Sequence, residues 1–336
     1  MSKHETRSHL VAGGVSEIPL SESRRRSLSG RGPIMGEIGL IGLGRMGTAM
    51  AANLAAAGRS VIAFVRRPDQ TDRLTALGLR PTTDVGDLLD CEVVITMLPD
   101  DDAVLQTVFG HGNDGLAAGL RRGAIHLSMS TISTAAATRL AGEHARLEQS
   151  YVAAPVFGNP DAAKARQLFI IAAGGATEIM RCQSIFDSLG QRTFVVGTDP
   201  QDANLIKLLG NMMSATALEM LGEAVAVLRK RGLDPQPFVD IMTSTMFGGR
   251  AHKICGDKVV RQMYAPGFLL PLVLKDVRLA LAEGEKAGAP MPSVGVVRDR
   301  LITGIARGYG NLDWSALGLV AAEEAGLHAV PSVTAN

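Results

Sequence analysis

Gly39-Leu40-Ile41-Gly42-Leu43-Gly44-Arg45-Met46-Gly47 is the stretch that decides the fold of this chain. The apolar run Ile38 to Leu43 reads as a short buried strand, and the glycines force a tight turn. Thr48 to Ala57 then holds strong helix formers and stops at Gly58. Strand, loop and helix carry G-x-G-x-x-G at Gly42, Gly44 and Gly47, the pattern of a dinucleotide-binding turn. Gly42 permits the turn, Gly44 lets a pyrophosphate approach the backbone, and Gly47 lets helix and strand pack. Free N–H groups around Leu43, Arg45 and Met46, with the helix dipole, would hold the phosphates. A lone glycine turn also simply joins strands to helices. Here a second strand, Ser60 to Val65, follows where the motif demands it.

The end of that second strand bears on which dinucleotide binds. An NAD site places Asp or Glu about twenty residues after the glycines, whereas an NADP site uses Arg. This chain has Arg66 and Arg67 there and no acid until Asp69. A carboxylate would repel a 2′-phosphate, while a guanidinium grips it in a bidentate way. Charge pairs at strand ends are often only solvated, but the missing acid favours NADP(H).

With 336 residues and 46% hydrophobic content, the chain can bury a sizeable core, in two domains. Thirty-four basic and thirty-three acidic residues leave a net charge of +1, so neither nucleic acid nor an acidic membrane surface is an expected partner. Three distant cysteines without C-x-x-C, and seven histidines without ligand spacing, argue against disulfides and metal. No apolar run is long enough to span a membrane. Residues 1–33 are polar and aperiodic and read as a disordered tail. Met35, directly before the first strand, is a candidate start. Arginines without a following apolar segment do not make a secretory signal, so the cytoplasm is expected.

From Ile34 strands and helices alternate as in a doubly wound parallel sheet. Helices are expected over 69–77, 84–89 and around 102–108, and strands over 92–98, 124–129, 151–156, 168–173 and 193–196. Ligands in such sheets sit beyond the carboxyl ends of the strands, so Met97-Leu98-Pro99 should line the cofactor groove. Ser130-Thr131-Ile132-Ser133 stands at the next strand's exit. After Gly197 the pattern becomes helical. Leu205, Leu208, Met212, Met220 and Leu228 lie on a repeat that runs from Asp202 to Arg231, roughly 40 Å of helix. Helical patterns continue over 237–245, 268–287, 294–307 and 315–326. The expectation is therefore an α/β chain, with a Rossmann domain over 34–197 and an all-helical domain over 198–330, joined by the long helix. So long an apolar helix suggests a homodimer.

The motifs Gly42 to Leu54, Met97 to Asp101 and Ser130 to Ser133 resemble the β-hydroxyacid dehydrogenase family. The likeness continues through Ala154-Pro155-Val156, Lys207-Leu-Leu-Gly-Asn211 and Lys275-Asp276, so it covers nearly all of the chain after Met35. It implies hydride transfer between a nicotinamide and a small hydroxyacid, or the corresponding aldehyde or 2-oxoacid, in the cleft between the domains. Lys207 matches the family's catalytic lysine, and Asn211, one turn on, matches its partner. Ser130 matches the serine that binds the substrate's carboxylate, with Thr131 beside it at the cofactor. Lys275 and Asp276 match a pair that closes the cleft; Asp276 also reads as half of an ordinary ion pair. By residue type alone, a lone helical lysine is more often a snorkelling surface group, and a serine there a helix cap.

The chain departs from the family after Ala-Pro-Val, where Ser-Gly-Gly is usual. Here Phe157-Gly158-Asn159-Pro160 follows, with an apolar ring in place of a hydroxyl. The Gly158 N–H and the Asn159 amide remain as candidate substrate contacts. A bulkier or less polar carbonyl compound is expected. Met246-Phe247 is a candidate second apolar wall. Two other readings compete. Imine reductases share the cofactor domain and long helix; Phe157 suits them and Lys207 does not. A non-catalytic NADP-binding module would have no use for Lys207, Asn211 and Ser130 together.

Overall fold

In the computed structural model of the chain, the described residues are Ser16–Glu17, 36–110 and 115–327. The tail reading of residues 1–33 otherwise lies outside them. The first half is a single sheet. It runs β2 (Ile38–Ile41), α1 (Arg45–Ala56), β3 (Val61–Phe64), α2 (Thr71–Thr75), β4 (Arg80–Thr82), β5 (Val93–Thr96), α3 (Asp101–Phe109), α4 (Leu116–Gly119), β6 (Ile125–Ser128), α5 (Thr134–Arg146) and β7 (Ser150–Ala153). These strands lie parallel in the order β4-β3-β2-β5-β6-β7, with Leu40 opposite both Ala63 and Ile95. All four residues of β2, of β5 and of β6 are buried, as expected for strands covered by helices on both faces.

The sheet then reverses. The expected strand over 151–156 breaks at Pro155. Ala154 still donates its N–H to Ser128 O, but Pro155 has no N–H to continue the ladder. Beyond it, β8 (Val156–Phe157) pairs antiparallel with β9 (Leu168–Ala173), after α6 (Pro160–Lys164). β9 also meets β7 antiparallel and lies parallel to β10 (Gly190–Gly197), which follows α7 (Ala176–Leu189). Ser16–Glu17, β1, pairs antiparallel with Phe194 and Val195 of β10. The helix expected over 84–89 is instead a 3-10 turn at Val85–Leu88, because Asp84 Oδ1 captures the Gly86 N–H at 2.8 Å.

The second half is helical: α8 (Pro200–Lys230), α9 (Gln236–Thr245), α10 (Arg250–Arg261), α11 (Leu270–Lys286), α12 (Pro292–Ala306) and α13 (Leu317–Glu324). α10 was not foreseen. The 31-residue α8 belongs to two cores. Ala203 packs with Ala153, Ile171 and Ala173 of the sheet, whereas Ala215, Leu218 and Val225 pack among the helices with Val259, Val273 and Leu301. Farther along, α8 crosses α13 where a Cβ on Gly222 would lie 2.8 Å from Gly318 Cα, so Gly222 is needed for the approach, and Gly318 makes room for Val259 of α10, whose Cγ1 would lie 2.6 Å from an added Cβ. Lys207 and Asn211 fall at the changeover between the cores. No helix among the described residues is long and apolar enough to cross a membrane.

Candidate active site

The glycine turn has the form its sequence implies. Gly42 adopts φ +103°, and a Cβ there would lie 2.3 Å from Met97 O. A Cβ on Gly47 would lie 2.0 Å from Gly42 O, so helix and strand meet with no room for a side chain. Gly44 faces open space, with nothing within 4 Å of an added Cβ. It caps α1 without any side-chain hydrogen bond, which leaves the first-turn N–H groups at Arg45, Met46 and Gly47 directed outward. Leu43 and Met46 are half-buried beside the opening. The turn therefore fits a dinucleotide pyrophosphate. Met97 and Leu98 are half-buried and Pro99 is exposed at the β5 exit next to it. Arg66 and Arg67 are exposed at the β3 exit; Arg67 lies 3.8 Å from Asp69, and Arg66 has no partner among the described residues. Arg45 reaches away from the turn, its guanidinium donating to Pro266 O in the helical half.

Lys207 is 6% exposed on α8. Its Nζ donates to Asn211 Oδ1 at 2.7 Å, and Asn211 Nδ2 donates to Asp276 Oδ2 at 2.6 Å. Asp276 Oδ1 lies 2.9 Å from Lys275 Nζ, which also donates to Thr131 O. One chain of polar contacts thus runs from Lys207 through α8 and α11 to the exit of β6. Burial pushes the Lys207 ammonium down to about 8, opposed by Asp276 and aided by Lys275. Asp276 is 2% exposed and is an integral part of this chain rather than a surface ion-pair partner.

Phe157 closes the other side of the lysine. Its ring centroid is 4.2 Å from Lys207 Nζ, a cation–π contact. Gly210 makes room for it, since a Cβ there would lie 2.3 Å from Phe157 Cζ. The sequence reading missed this approach, although a glycine in a helix interior, costing about 1 kcal/mol against alanine, could have pointed to it.

Two other residues expected to contact substrate also make hydrogen bonds within the protein. Ser130 is fully buried; its Oγ accepts the Leu98 N–H at 2.8 Å and donates to Thr96 O at 3.3 Å, tying the β5 and β6 exits together. The helix cap is Ser133, whose Oγ accepts the Ala136 N–H at 2.9 Å. Asn159 caps α6 through Oδ1, 2.9 Å from Ala162 N, so that oxygen is not free for substrate. Gly158 is exposed at φ +144°, where a Cβ would meet Leu168 Cδ2 at 2.6 Å. Met246 is 78% exposed, and Phe247 packs edge-on against His252.

Two family models divide the chain at the start of α8. The NAD binding domain of 6-phosphogluconate dehydrogenase matches residues 37–197. The NAD-binding domain of NADP-dependent 3-hydroxyisobutyrate dehydrogenase matches residues 202–321. An uncharacterized oxidoreductase of Bacillus subtilis is 38% identical, over 84% of this chain and 98% of its own. Glyoxylate/succinic semialdehyde reductase 1 of Arabidopsis thaliana is 30% identical over 84% and 96%. The chain belongs to the β-hydroxyacid dehydrogenase family. The fold is that of the crystal structure of 3-hydroxyisobutyrate dehydrogenase from Salmonella typhimurium, with a TM-score of 0.77 at 21% identity, over 85% of this chain and 99% of that one. As a family member the chain is a nicotinamide-dependent oxidoreductase acting on CH–OH donors.

Proposed function

We propose that this enzyme is an NADP(H)-dependent reductase of small aldehydes or 2-oxoacids, running in reverse as a hydroxyacid dehydrogenase. The observation that carries the reading is the buried Lys207 ammonium, held by Asn211 where the two cores meet. A bound nicotinamide supplies the hydride. Lys207 donates a proton from Nζ to the carbonyl oxygen as negative charge develops there, and its charge stabilises that oxygen. Asn211 fixes the Nζ rotor, and Asp276 fixes the Asn211 amide. With its pKa brought to about 8, Lys207 is mostly protonated at neutral pH yet gives up its proton more readily than a free lysine. Its neutral form is the base for oxidation.

NADP(H) rather than NAD(H) is supported by Arg66 and Arg67, exposed at the strand end with no carboxylate before Asp69. Phe157 favours a carbonyl compound with an apolar or bulky substituent over the smallest oxoacids. The heptad-spaced exposed residues of α8, Ile206, Met213, Met220 and Val227, support a homodimer through that face.

NADPH oxidation, with NADH in parallel, tests the reading over glyoxylate, succinic semialdehyde, larger aldehydes and a cyclic imine. Carbonyl turnover that falls about 10²- to 10⁴-fold in Lys207→Ala is expected. Imine turnover that survives that substitution would instead make the enzyme an imine reductase with Lys207 as scaffold. Arg66→Ala should weaken NADPH binding and leave NADH binding nearly unchanged; equal affinity for NADPH before and after would remove the phosphate assignment.

A further inference from the structure

Asn204 lies three residues before Lys207 and seven before Asn211, a spacing that sets all three on one face of α8. That face is turned inward: Asn204 is 1% exposed and Lys207 6%, whereas Ile206 and Met213 on the other side are exposed. One turn earlier, Thr138 Oγ1 of α5 donates to Gln201 Oε1 at 3.0 Å, which holds this end of α8 against the helix that follows the Ser130–Ser133 segment. Lys207 and Asn211 bond to each other, but Asn204 Oδ1 is buried without a hydrogen-bond partner. An amide orphaned in this way destabilises the fold, and an apolar residue would pack there without that cost.

We infer that Asn204 is a substrate-recognition residue whose carboxamide pairs with a hydroxyl on the carbon next to the reacting carbonyl. The inference rests on the reading of the Lys207 cleft as a carbonyl-reducing site. A carboxylate offers only acceptors and leaves Oδ1 unsatisfied. A hydroxyl both donates and accepts, so it satisfies the amide in either of its two orientations. Asn204 lies one turn of α8 from Lys207, which places it to meet a neighbouring substituent while Nζ meets the carbonyl oxygen.

The test compares wild type with Asn204→Leu, using NADPH and two aldehydes that differ only in the hydroxyl, glycolaldehyde and acetaldehyde. The variant should lose at least about tenfold in kcat/KM for glycolaldehyde while acetaldehyde changes little. Its melting temperature should be equal or higher, because an unpaired amide has been removed. An equal loss on both aldehydes, or a lowered melting temperature, would show a structural amide and overturn the inference alone. Wild type that reduces no carbonyl at all would overturn the reductase reading and this inference with it.

Discussion

Lys207 carries its charge at the expense of stability. Its pKa is about 8 in the folded chain against 10.5 when free. A lowered folded value means the unfolded state binds the proton more tightly. The contribution of Lys207 to stability is therefore complete above 10.5, shrinks as pH falls toward 8, and is gone below it, a loss of about 3 kcal/mol at pH 7. Lys207→Met should abolish most turnover without lowering the melting temperature at neutral pH. Thermal unfolding checks this, and a large drop would mean that Lys207 is structural. Phe157 and Gly210 form a second testable pair. Gly210→Ala alone should overpack the ring and cost about 1–3 kcal/mol, whereas Gly210→Ala with Phe157→Ala should recover most of that. Additive losses would contradict the contact. Lys207, Asn211 and the anomaly at Phe157 were all legible in the sequence. Asp276 was singled out there too, but its bond to Asn211 was not legible, because it depends on α11 crossing α8 sixty-five residues later. The cap that Asn159 makes went unread although its signal is local: asparagine directly before a proline at a helix start is a cap pattern.

Among the elements, β5 and β6 are bound by a buried polar chain as well as by their ladder. Gln149 Oε1 accepts from His144 Nδ1 at 2.7 Å, which leaves His144 Nε2 as acceptor for His126 Nδ1 at 2.9 Å and His126 Nε2 as acceptor for Thr96 Oγ1 at 2.9 Å. This assignment satisfies every ring nitrogen with both imidazoles neutral. Burial holds both below the ordinary histidine value, His126 well below it. Their stabilisation is fully present above pH 6.5 and should erode as pH falls below it, since the unfolded chain takes up protons first. Denaturant midpoints at pH 7.5, 6.5 and 5.5 measure this. The loss from 6.5 to 5.5 should exceed that from 7.5 to 6.5, and His126→Gln should reduce the difference. Periodicity was enough to find β2, β3 and α8, whose apolar patterns are long or flanked by glycine signals. It failed at 151–156 and 84–89, where one missing N–H and one captured N–H override an apolar or helical run.

At the scale of the whole molecule, α8 does three jobs: it joins two cores, places Lys207 and Asn211 where they meet, and leaves an apolar stripe outside. Ile206, Met213, Met220 and Val227 recur every seven residues and are each at least 40% exposed. Sedimentation at micromolar concentration should show a dimer, and Met213→Glu with Met220→Glu should give a monomer; a wild-type monomer would contradict the proposed homodimer. The two-domain division was visible in the sequence as a change from alternating to helical patterning after Gly197. The strand over 168–173 was visible as well, but the antiparallel pairing of β8 and β9 was not, because pairing direction depends on partners distant along the chain. Carbonyl reduction as proposed depends on proton transfer by Lys207, brought to a pKa of about 8 where the two cores meet. The pH dependence of kcat/KM in both directions tests it most directly. Carbonyl reduction should fall as pH rises through about 8, hydroxyacid oxidation should rise over the same interval, and Lys207→Ala should lack both limbs. Rates that stay level from pH 7 to 10 in wild type, or limbs that persist in the variant, would contradict it.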